Sequence, residues 1–329
     1  MLRDSYNRQI RDLRISVTDR CNFRCFYCLP NGEPPMARKE TILTFEEIAR
    51  AAHAFVDLGV EKIRLTGGEP MLRKGIVDLV EQIARLKPQL KDLALTTNGH
   101  SFAEHAAALK GAGLDRVTIS LDSLDRTRFR ELTGVDAIHK PLAAIDAAKK
   151  HGFEPVKVNA VIVRGRNDDE IVDFARFARE RDVSFRFIEF MPLDSGHDWS
   201  REMVVTGREI RDRINDVFPL ELKETTRGSG TAWKYKFADG SPGEIGIIAP
   251  VTEMFCGQCS RIRLTADGQI RTCLFSTTEH NLRDILRSGA SEDEIAAFIR
   301  SVALNKEPRH HIDDPEFVQP SRTMSFIGG

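Results

Sequence analysis

Residues 21–28 read CNFRCFYC and place three cysteines, Cys21, Cys25 and Cys28, within eight positions. A structural zinc site takes four ligands and a disulfide joins two cysteines, so a set of three thiols needs another explanation. Three thiolates can hold three irons of a four-iron cluster and leave the fourth iron open to a small chelating ligand. The alternatives at this point are a zinc site completed by a distant His or Cys, and three reduced thiols.

A second group of three cysteines lies in the C-terminal part of the chain: Cys256, Cys259 and Cys273. A zinc site with His280 as the fourth ligand is one interpretation of this spacing. The segment CSRIRLT puts Arg261 and Arg263 on one side of a predicted strand, because side chains alternate along a strand. Two arginines beside an open iron would form a fork for an anion or a purine. We therefore favour a substrate site here over a structural zinc site.

Composition narrows the class of protein. The 329-residue chain has a formal net charge of −1, so a polyanionic ligand must be met by a local cluster of cations, and no general affinity for nucleic acid is expected. No apolar run approaches the ~20 residues of a membrane helix, and residues 1–14 lack the apolar core of a signal peptide. We expect a cytoplasmic protein that does not bind membranes, whose clustered cysteines serve metal or redox chemistry.

Six predicted strands alternate with helical stretches and must position these residues. The strands are predicted at 12–18, 61–66, 92–96, 115–121, 155–162 and 183–190. The helical stretches between them have apolar residues at helical spacing, and Thr44, followed by Glu46 and Glu47, predicts one helix start. Such strand–helix alternation indicates parallel strands wound as βα units.

The polarity of these strands predicts how the sheet curves. Apolar Ile15 and Ile63 fall on one face of their strands, whereas Arg14, Arg64 and Lys157 fall on the other. Parallel strands are normally apolar on both faces, and a charged side chain in a dry core is very costly. The sheet is therefore predicted to curve around a wet or ionic interior, as an incomplete barrel that holds a charged ligand.

The pattern changes after about residue 215. Residues 225–244 are rich in Gly, Ser and Thr and are predicted to form loops or turns, whereas 244–251 and 259–274 are predicted strands, the latter a hairpin that turns at ADG. The predicted fold class is α/β: an incomplete (β/α)6 TIM-like barrel over residues 1–215. An α+β extension with antiparallel strands, residues 216–329, would close it.

Polar turns follow several strands at the end where barrel enzymes carry their chemistry. In TGGEP, residues 66–70, two glycines would let the backbone approach a ligand closely, and Glu69 could add an acceptor. TTNG, SLDS and EFMP follow the third, fourth and sixth strands. CNFRCFYC together with TGGEP resembles the radical S-adenosylmethionine (SAM) superfamily. The resemblance implies a 4Fe-4S cluster on the first three cysteines, with its open iron chelated by the amino and carboxylate groups of SAM.

Within that superfamily the chain resembles the GTP 3′,8-cyclase family over nearly its whole length, including both cysteine groups and the terminal Gly-Gly. This implies that the second three cysteines hold another 4Fe-4S cluster, which binds the guanine of GTP. It implies SAM contacts from Tyr27, Gly68, Ser120 and Met191. It implies GTP contacts from Arg14, Arg64, Thr96, Lys157, Arg261, Ile262 and Arg263. It implies an active-site tail made of Gly328 and Gly329.

Three further charged residues of the predicted strands have no role implied by the resemblance. Lys62 shares a face with Arg64 and could add a phosphate contact. Arg186 and Glu189 have opposite parity on the sixth strand, so both can face inward only if the strand contains a bulge.

The resemblance also implies a reaction. SAM would be cleaved to methionine and a 5′-deoxyadenosyl radical, which would take a hydrogen from C3′ of GTP before C3′ bonds to C8 of guanine. The product, (8S)-3′,8-cyclo-7,8-dihydroguanosine 5′-triphosphate, opens molybdenum cofactor biosynthesis. The implied partners are GTP, an electron donor such as flavodoxin or ferredoxin, and cyclic pyranopterin monophosphate synthase as the next enzyme. A homodimer is left open.

Two other functions are weighed against this one. The first is another radical SAM enzyme with an auxiliary cluster, such as a peptide maturase, although such enzymes often carry more C-terminal cysteines. The second is a zinc or iron–sulfur protein without catalysis, which would leave the inward cations of the barrel unexplained. Iron and sulfide content, measured together with SAM cleavage, would distinguish it.

Overall fold

The structure, a computed structural model, describes residues 1–29, 36–194 and 196–328 of the chain. Its twelve strands belong to one sheet. The strands are β1 (Asp12–Ser16), β2 (Lys62–Thr66), β3 (Asp92–Thr97), β4 (Arg116–Ser120), β5 (Lys157–Ile162), β6 (Ser184–Glu189), β7 (Leu220–Leu222), β8 (Trp233–Phe237), β9 (Glu244–Ile248), β10 (Arg261–Leu264), β11 (Gln269–Arg271) and β12 (His280–Asn281).

The α-helices of the described residues follow the strands. They are α1 (Phe45–Asp57), α2 (Ile76–Ala84), α3 (Phe102–Gly111), α4 (Arg126–Thr133), α5 (His139–Lys150), α6 (Ile171–Arg181), α7 (Gly207–Asn215), α8 (Leu282–Arg287), α9 (Glu292–Leu304) and α10 (Met324–Ile327). Helix α1 begins at the predicted position: Thr44 caps it, and Glu47 completes a capping box. Within the described residues, no helix is long and apolar enough to cross a membrane.

The strand order confirms the incomplete barrel. Strands β1 to β6 are parallel neighbours in sequence order, as expected of βα units. The C-terminal part adds strands at both edges, with β10 parallel to β1 and β9 parallel to β6. The described strands leave the sheet open between β12 and β7. The division of the chain at residue 215 stays a prediction, because strands from both sides of it share this sheet.

The C-terminal strands correct one prediction and confirm another. Residues 225–244 were predicted as loops or turns, but β8 occupies 233–237 and pairs with both β7 and β9. Its sequence, WKYKF, alternates aromatic and lysine residues, which suits a strand with one packed face; the surrounding Gly, Ser and Thr residues hid this short pattern. The hairpin β10–β11 does turn at 266–268 as predicted.

The two faces of the central strands separate as the sequence indicates. Leu13, Ile15 and their counterparts on the neighbouring strands are buried in one continuous apolar core with the helices. Arg186 and Glu189, which have opposite parity on β6, do not both face inward. Arg186 lines the inner cavity, whereas Glu189 is fully buried away from it. Glu189 accepts hydrogen bonds from the backbone N–H groups of Gly207 at 2.7 Å and Val251 at 2.8 Å, so it joins α7 to a C-terminal turn.

Candidate active site

A single cavity of about 550 Å³ lies inside the curve of the sheet, and all six cysteines line it. Most of the other predicted site residues also line it: Arg14, Tyr27, Arg64, Gly68, Thr96, Ser120, Lys157, Met191, Arg261 and Arg263. Lys62 lines it too. Two of the predicted and described site residues do not line it: Gly328, which is described below with the C-terminal tail, and Ile262, which is buried in the apolar core between the two arginines.

The first three cysteines lie in the loop after β1, and that loop is held by its own backbone. The N–H of Cys28 donates to the carbonyl of Cys25 at 2.9 Å, and the N–H of Phe23 donates to Sγ of Cys21 at 3.4 Å. Burial raises the pKa of Cys21 to about 11 and that of Cys28 to about 12. Burial likewise raises the pKa of Cys25 well above its ordinary value. These thiols therefore stay protonated near neutral pH, and a bound metal is needed to displace their protons.

The glycines of TGGEP pack against the cysteine loop, and their predicted close approach to a ligand stays a prediction. A Cβ on Gly68 would overlap the carbonyl oxygen of Arg20, and the N–H of Gly68 donates to the carbonyl of Thr18 at 2.8 Å. Glu69 is indeed an acceptor, but its partners are protein groups: the hydroxyl of Thr97 and the N–H of Asn98, both at 2.7 Å. Burial raises the pKa of Glu69 to about 7. TGGEP thus fixes the loop that carries Cys21 against β3.

Tyr27 is fixed by a carboxylate that the sequence did not single out. Its hydroxyl donates to Asp122 at 2.6 Å, and the other oxygen of Asp122 accepts from the N–H of Val161 at 2.9 Å. Burial raises the pKa of Asp122 to about 6, although the Tyr27 bond opposes this. The motif SLDS contains Asp122 on the same polar face as Ser120, so strand parity was the signal that could have identified it.

Cations of neighbouring strands lie side by side on the inner face. Arg14 is in register with Arg64 on β2 and with Arg263 on β10. Burial first, and neighbouring arginines second, lower the pKa of Arg14 to about 9 and that of Arg64 to about 10. Burial, followed by Arg186 and other cations, lowers the pKa of Lys157 to about 6. This concentration of positive charge is unfavourable unless an anion occupies the cavity.

Two further charged residues belong to the same face. Arg116 forms a bidentate ion pair with Asp92, with Nε donating to Oδ1 at 2.8 Å, and both residues line the cavity. Arg186, whose Nε is buried without a partner, lines it on the β6 side. Arg116 shares the parity of Thr118 on β4, so this residue too could have been found from strand alternation.

The second cysteine group has a different electrostatic environment. Burial acts to raise the pKa of Cys259, but Arg261 and Lys306 outweigh it and bring that pKa down to about 7. Lys306 donates to the carbonyl of Arg261 at 2.9 Å, between β10 and the C-terminal segment. Nothing in the sequence pattern pointed to Lys306, because it lies beyond the last periodic helix.

The zinc interpretation with His280 is not supported by the position of that residue. His280 pairs with Ile270 in the β11–β12 ladder, and the histidine that lines the cavity is His310, whose N–H lies 3.5 Å from Sγ of Cys256. Among the described residues, no three His, Cys, Asp or Glu side chains converge closely enough to hold a single metal ion. An iron–sulfur cluster does not require such convergence, because each cysteine binds a different iron.

The described part of the C-terminal tail reaches this site. Met324 and Ser325 line the cavity, and Arg263 donates to the carbonyl of Gly328. Gly328 has φ of +80°, and a Cβ at this position would overlap the hydroxyl of Thr66. Glycine is therefore required here for both conformation and space. Gly329, also predicted to belong to the tail, lies outside the described residues.

Comparisons with known proteins agree with this arrangement. The Radical SAM superfamily model matches residues 15–178, and the Molybdenum Cofactor Synthesis C model matches residues 183–312. The chain is 47% identical to GTP 3′,8-cyclase of Streptomyces coelicolor, covering all of this chain and 96% of that protein. It is 43% identical to GTP 3′,8-cyclase of Thermodesulfovibrio yellowstonii, covering the whole of both.

The chain belongs to the GTP 3′,8-cyclase family of radical SAM enzymes.

Solved structures share the fold at low sequence identity. SuiB of Streptococcus suis, bound to its precursor peptide SuiA, is 18% identical with a TM-score of 0.61, covering 90% of this chain and 68% of that one. Native anSMEcpe with bound AdoMet is 15% identical with a TM-score of 0.60, covering 89% of this chain and 84% of that one. These likenesses confirm the partial barrel of a radical SAM fold.

As a radical SAM enzyme, this GTP 3′,8-cyclase family member uses SAM and an iron–sulfur cluster. The residues present fit such a cluster. Thiolates are the soft donors that iron–sulfur clusters require, and the loop of Cys21, Cys25 and Cys28 presents three of them to one cavity. The N–H of Phe23 on Sγ of Cys21 is a hydrogen bond of the kind that tunes cluster potential.

Proposed function

We propose that this chain converts GTP to (8S)-3′,8-cyclo-7,8-dihydroguanosine 5′-triphosphate, the first step of molybdenum cofactor biosynthesis. One observation carries the proposal: one cavity is lined by two separate three-cysteine groups and by a row of cations on its inner face, Arg14, Arg64, Lys157, Arg261 and Arg263. A radical enzyme for a neutral or peptide substrate has no need of that row. A nucleoside triphosphate, with about four negative charges, does.

The end of the cavity near Cys21, Cys25 and Cys28 is proposed to bind SAM. When bound there, a 4Fe-4S cluster supplies one electron for reductive cleavage of SAM to methionine and a 5′-deoxyadenosyl radical. Tyr27, held by Asp122 at 2.6 Å, and Gly68, held against residues 18–20, would shape this end. The contacts with SAM would be completed by Ser120, the last residue of β4, and by Met191, which follows β6.

The opposite end is proposed to bind GTP, with its guanine at a second 4Fe-4S cluster on Cys256, Cys259 and Cys273. The triphosphate would lie along Arg14, Arg64, Lys157, Arg261 and Arg263, because charge-assisted hydrogen bonds from Arg and Lys to phosphate are stronger than neutral ones. Thr96 receives a hydrogen bond from Arg64 at 3.1 Å and would orient that guanidinium. The Ile262 contact, if made, would use its backbone.

The chain's own contribution is then positional. If the cations fix the phosphates of GTP and the first cysteine loop fixes SAM, C3′ of the ribose would be held near SAM. The reacting groups would then not have to meet by diffusion in solution. The buried walls also keep water away from the radical. Gly328, seated against Thr66 and Arg263, would close this space from the C-terminal side.

The proposal includes partners. The reaction needs single electrons, so we propose a small electron carrier such as flavodoxin or ferredoxin as donor. We propose hand-off of the product to cyclic pyranopterin monophosphate synthase. The described part of the chain carries no feature that selects a homodimer.

The test is an anaerobic assay of the reconstituted protein with GTP, SAM and dithionite, analysed by mass spectrometry. The expected result is 5′-deoxyadenosine that forms only with GTP, together with a product isomeric with GTP. Deuterium at C3′ of GTP should appear in the 5′-deoxyadenosine. SAM cleavage at the same rate with and without GTP would contradict the proposed substrate. The second cluster is tested separately, by iron and sulfide analysis of Cys256→Ala protein.

A further inference from the structure

We propose that Arg322 is a positioning residue that holds the C-terminal tail in the active site. Together with Asp267 and Glu279 it forms what we name the tail clamp. The inference rests on the proposed function, because the tail matters only if the cavity is where GTP reacts. It goes beyond that function by naming the side chains that keep the tail in place.

The tail has few attachments of its own near its end. Helix α10 covers only Met324–Ile327, and a helix this short is not stable by itself. Phe326 and Ile327 are buried, and Gly328 reaches Arg263. The same Arg263 is a proposed phosphate contact, so its bond to Gly328 does not provide an anchor that is independent of the substrate. An attachment outside the cavity is therefore needed to fix the tail.

Arg322 provides that attachment at the residue just before the helix cap. Its two terminal nitrogens donate to the two carboxylate oxygens of Asp267, each at 2.9 Å. One of them also lies 2.8 Å from Glu279. The guanidinium stacks on the ring of Phe326, 5.1 Å from its centroid. Bidentate pairing fixes orientation as well as distance, so the fork of arginine is suited to this role and lysine is not.

The partners of Arg322 are themselves rigid. Asp267 lies in the β10–β11 turn, where the hydroxyl of Thr265 donates to it at 2.6 Å. Glu279 also pairs with Arg271 at 2.7 Å, and Arg271 is buried on β11 two residues before Cys273. The tail clamp therefore joins the tail to the same hairpin that carries the proposed GTP contacts and leads to Cys273. Displacing the clamp should free the tail without removing any cavity-lining residue.

The experiment uses the reconstituted holoenzyme and compares Arg322→Ala with Arg322→Lys and with Arg309→Ala. Arg309 is a matched control, because it also pairs with an aspartate of the C-terminal segment, Asp314 at 2.8 Å, but on the exposed surface. The first readout is the release of C-terminal residues by a carboxypeptidase. The second is the rate of cyclic product formation, and the third is iron content together with SAM binding.

Arg322→Ala should release the terminal residues at least about tenfold faster than wild type and lower product formation at least about tenfold, with iron content and SAM binding unchanged. Arg322→Lys should give values between those of wild type and Arg322→Ala, because lysine keeps the positive charge but cannot form the bidentate pair with Asp267. Arg309→Ala should match wild type. If Arg322→Ala folds poorly, the double variant Asp267→Asn with Glu279→Gln leaves Arg322 in place and should show the same two effects.

Two results would overturn the proposal. One is carboxypeptidase resistance in the Arg322 variants equal to that of wild type. The other is a released tail with an unchanged rate of product formation. The digestion assay needs no turnover, so a wild-type protein that fails to cyclise GTP but protects its tail would count against the proposed function and not against the clamp.

Discussion

The two cysteine groups face one cavity, yet their electrostatic environments differ at one thiol, Cys259. Around Cys21, Cys25 and Cys28 burial dominates, and the pKa of all three thiols is raised. In the second group, burial raises the pKa of Cys256 and Cys273 as well, but the cations beside Cys259 reverse the direction there. Equal numbers of cysteines therefore do not make equivalent sites.

The difference follows from which elements surround each group. The first group has carboxyl groups beside it: Glu69, in the turn after β2, adds to the effect of burial on the pKa of Cys21, and Asp122, just after β4, does so for Cys25. The second group is next to Arg261 on β10 and Lys306 beyond α9. A site for the sulfonium of SAM suits the first environment, and a site for a polyanion suits the second.

The largest effect expected from this comparison is the loss of one ligand at each group. Cys28→Ala should abolish SAM cleavage under all conditions. Cys273→Ala should keep SAM binding and lose the cyclic product. Each loss should exceed about 100-fold, which is the upper end for changes outside the ligand set. Mass spectrometry of 5′-deoxyadenosine and of the GTP product, from protein of measured iron content, tests both variants.

Identical phenotypes for these two variants would remove the distinction between the sites. A Cys273→Ala protein that still forms the cyclic product at the wild-type rate would show that the second group does not take part in turnover.

The next effect concerns the apo-protein. At pH 7.5, Cys259, with its pKa of about 7, is largely thiolate, whereas Cys21, with its pKa of about 11, is almost entirely thiol. Iodoacetamide should therefore alkylate Cys259 roughly 20 to 60 times faster than Cys21, once the lower intrinsic nucleophilicity of a low-pKa thiolate is allowed for. Peptide mapping of the metal-free protein after short exposure gives both rates.

A matched variant tests the stated cause. Arg261→Gln should slow alkylation at Cys259 and leave Cys21 unchanged, because only the second group is near that cation. Equal rates at the two cysteines in the wild-type protein would contradict the electrostatic contrast.

Much of this could be predicted because strand alternation is a local property. The polarity of DLRIS and KIRLT was sufficient to place Arg14 and Arg64 on one inner face, and the structure puts them in register. The same rule would have identified Arg116 and Asp122. The loop after β1 and the hairpin at ADG also have local signals, and both lie where they were expected.

What could not be predicted depends on contacts between distant parts of the chain. Lys306 and Arg322 lie in segments without periodicity, and their partners are 34 or more residues away. No local pattern shows that Lys306 bridges β10 to the strand end at Thr272. For the TGGEP glycines a close approach to a ligand was predicted, and it stays a prediction. No local pattern shows that the backbone of residues 18–20 also comes close to them.

The smallest effect is a pH dependence of GTP binding that arises from the cation row. In the free protein the pKa of Lys157 is lowered to about 6, first by burial and then by Arg186, Arg116 and Arg64. A bound triphosphate would raise that pKa, so above pH 6 binding takes up a proton, and affinity should fall as pH rises. One proton limits the slope to less than about tenfold per pH unit.

Isothermal titration of the holoenzyme with GTP between pH 6 and 8 measures this slope, and buffers of different ionisation enthalpy reveal the proton uptake. The phosphate of GTP titrates near pH 6 as well and acts in the opposite direction, because its more highly charged form binds better. Lys157→Arg stays charged throughout, and Lys157→Met is never charged, so both should retain only the phosphate contribution. If the affinity of the wild-type protein has the same pH slope as that of the two variants, Lys157 is already protonated in the free protein. The neighbouring cations would then not lower its pKa as described.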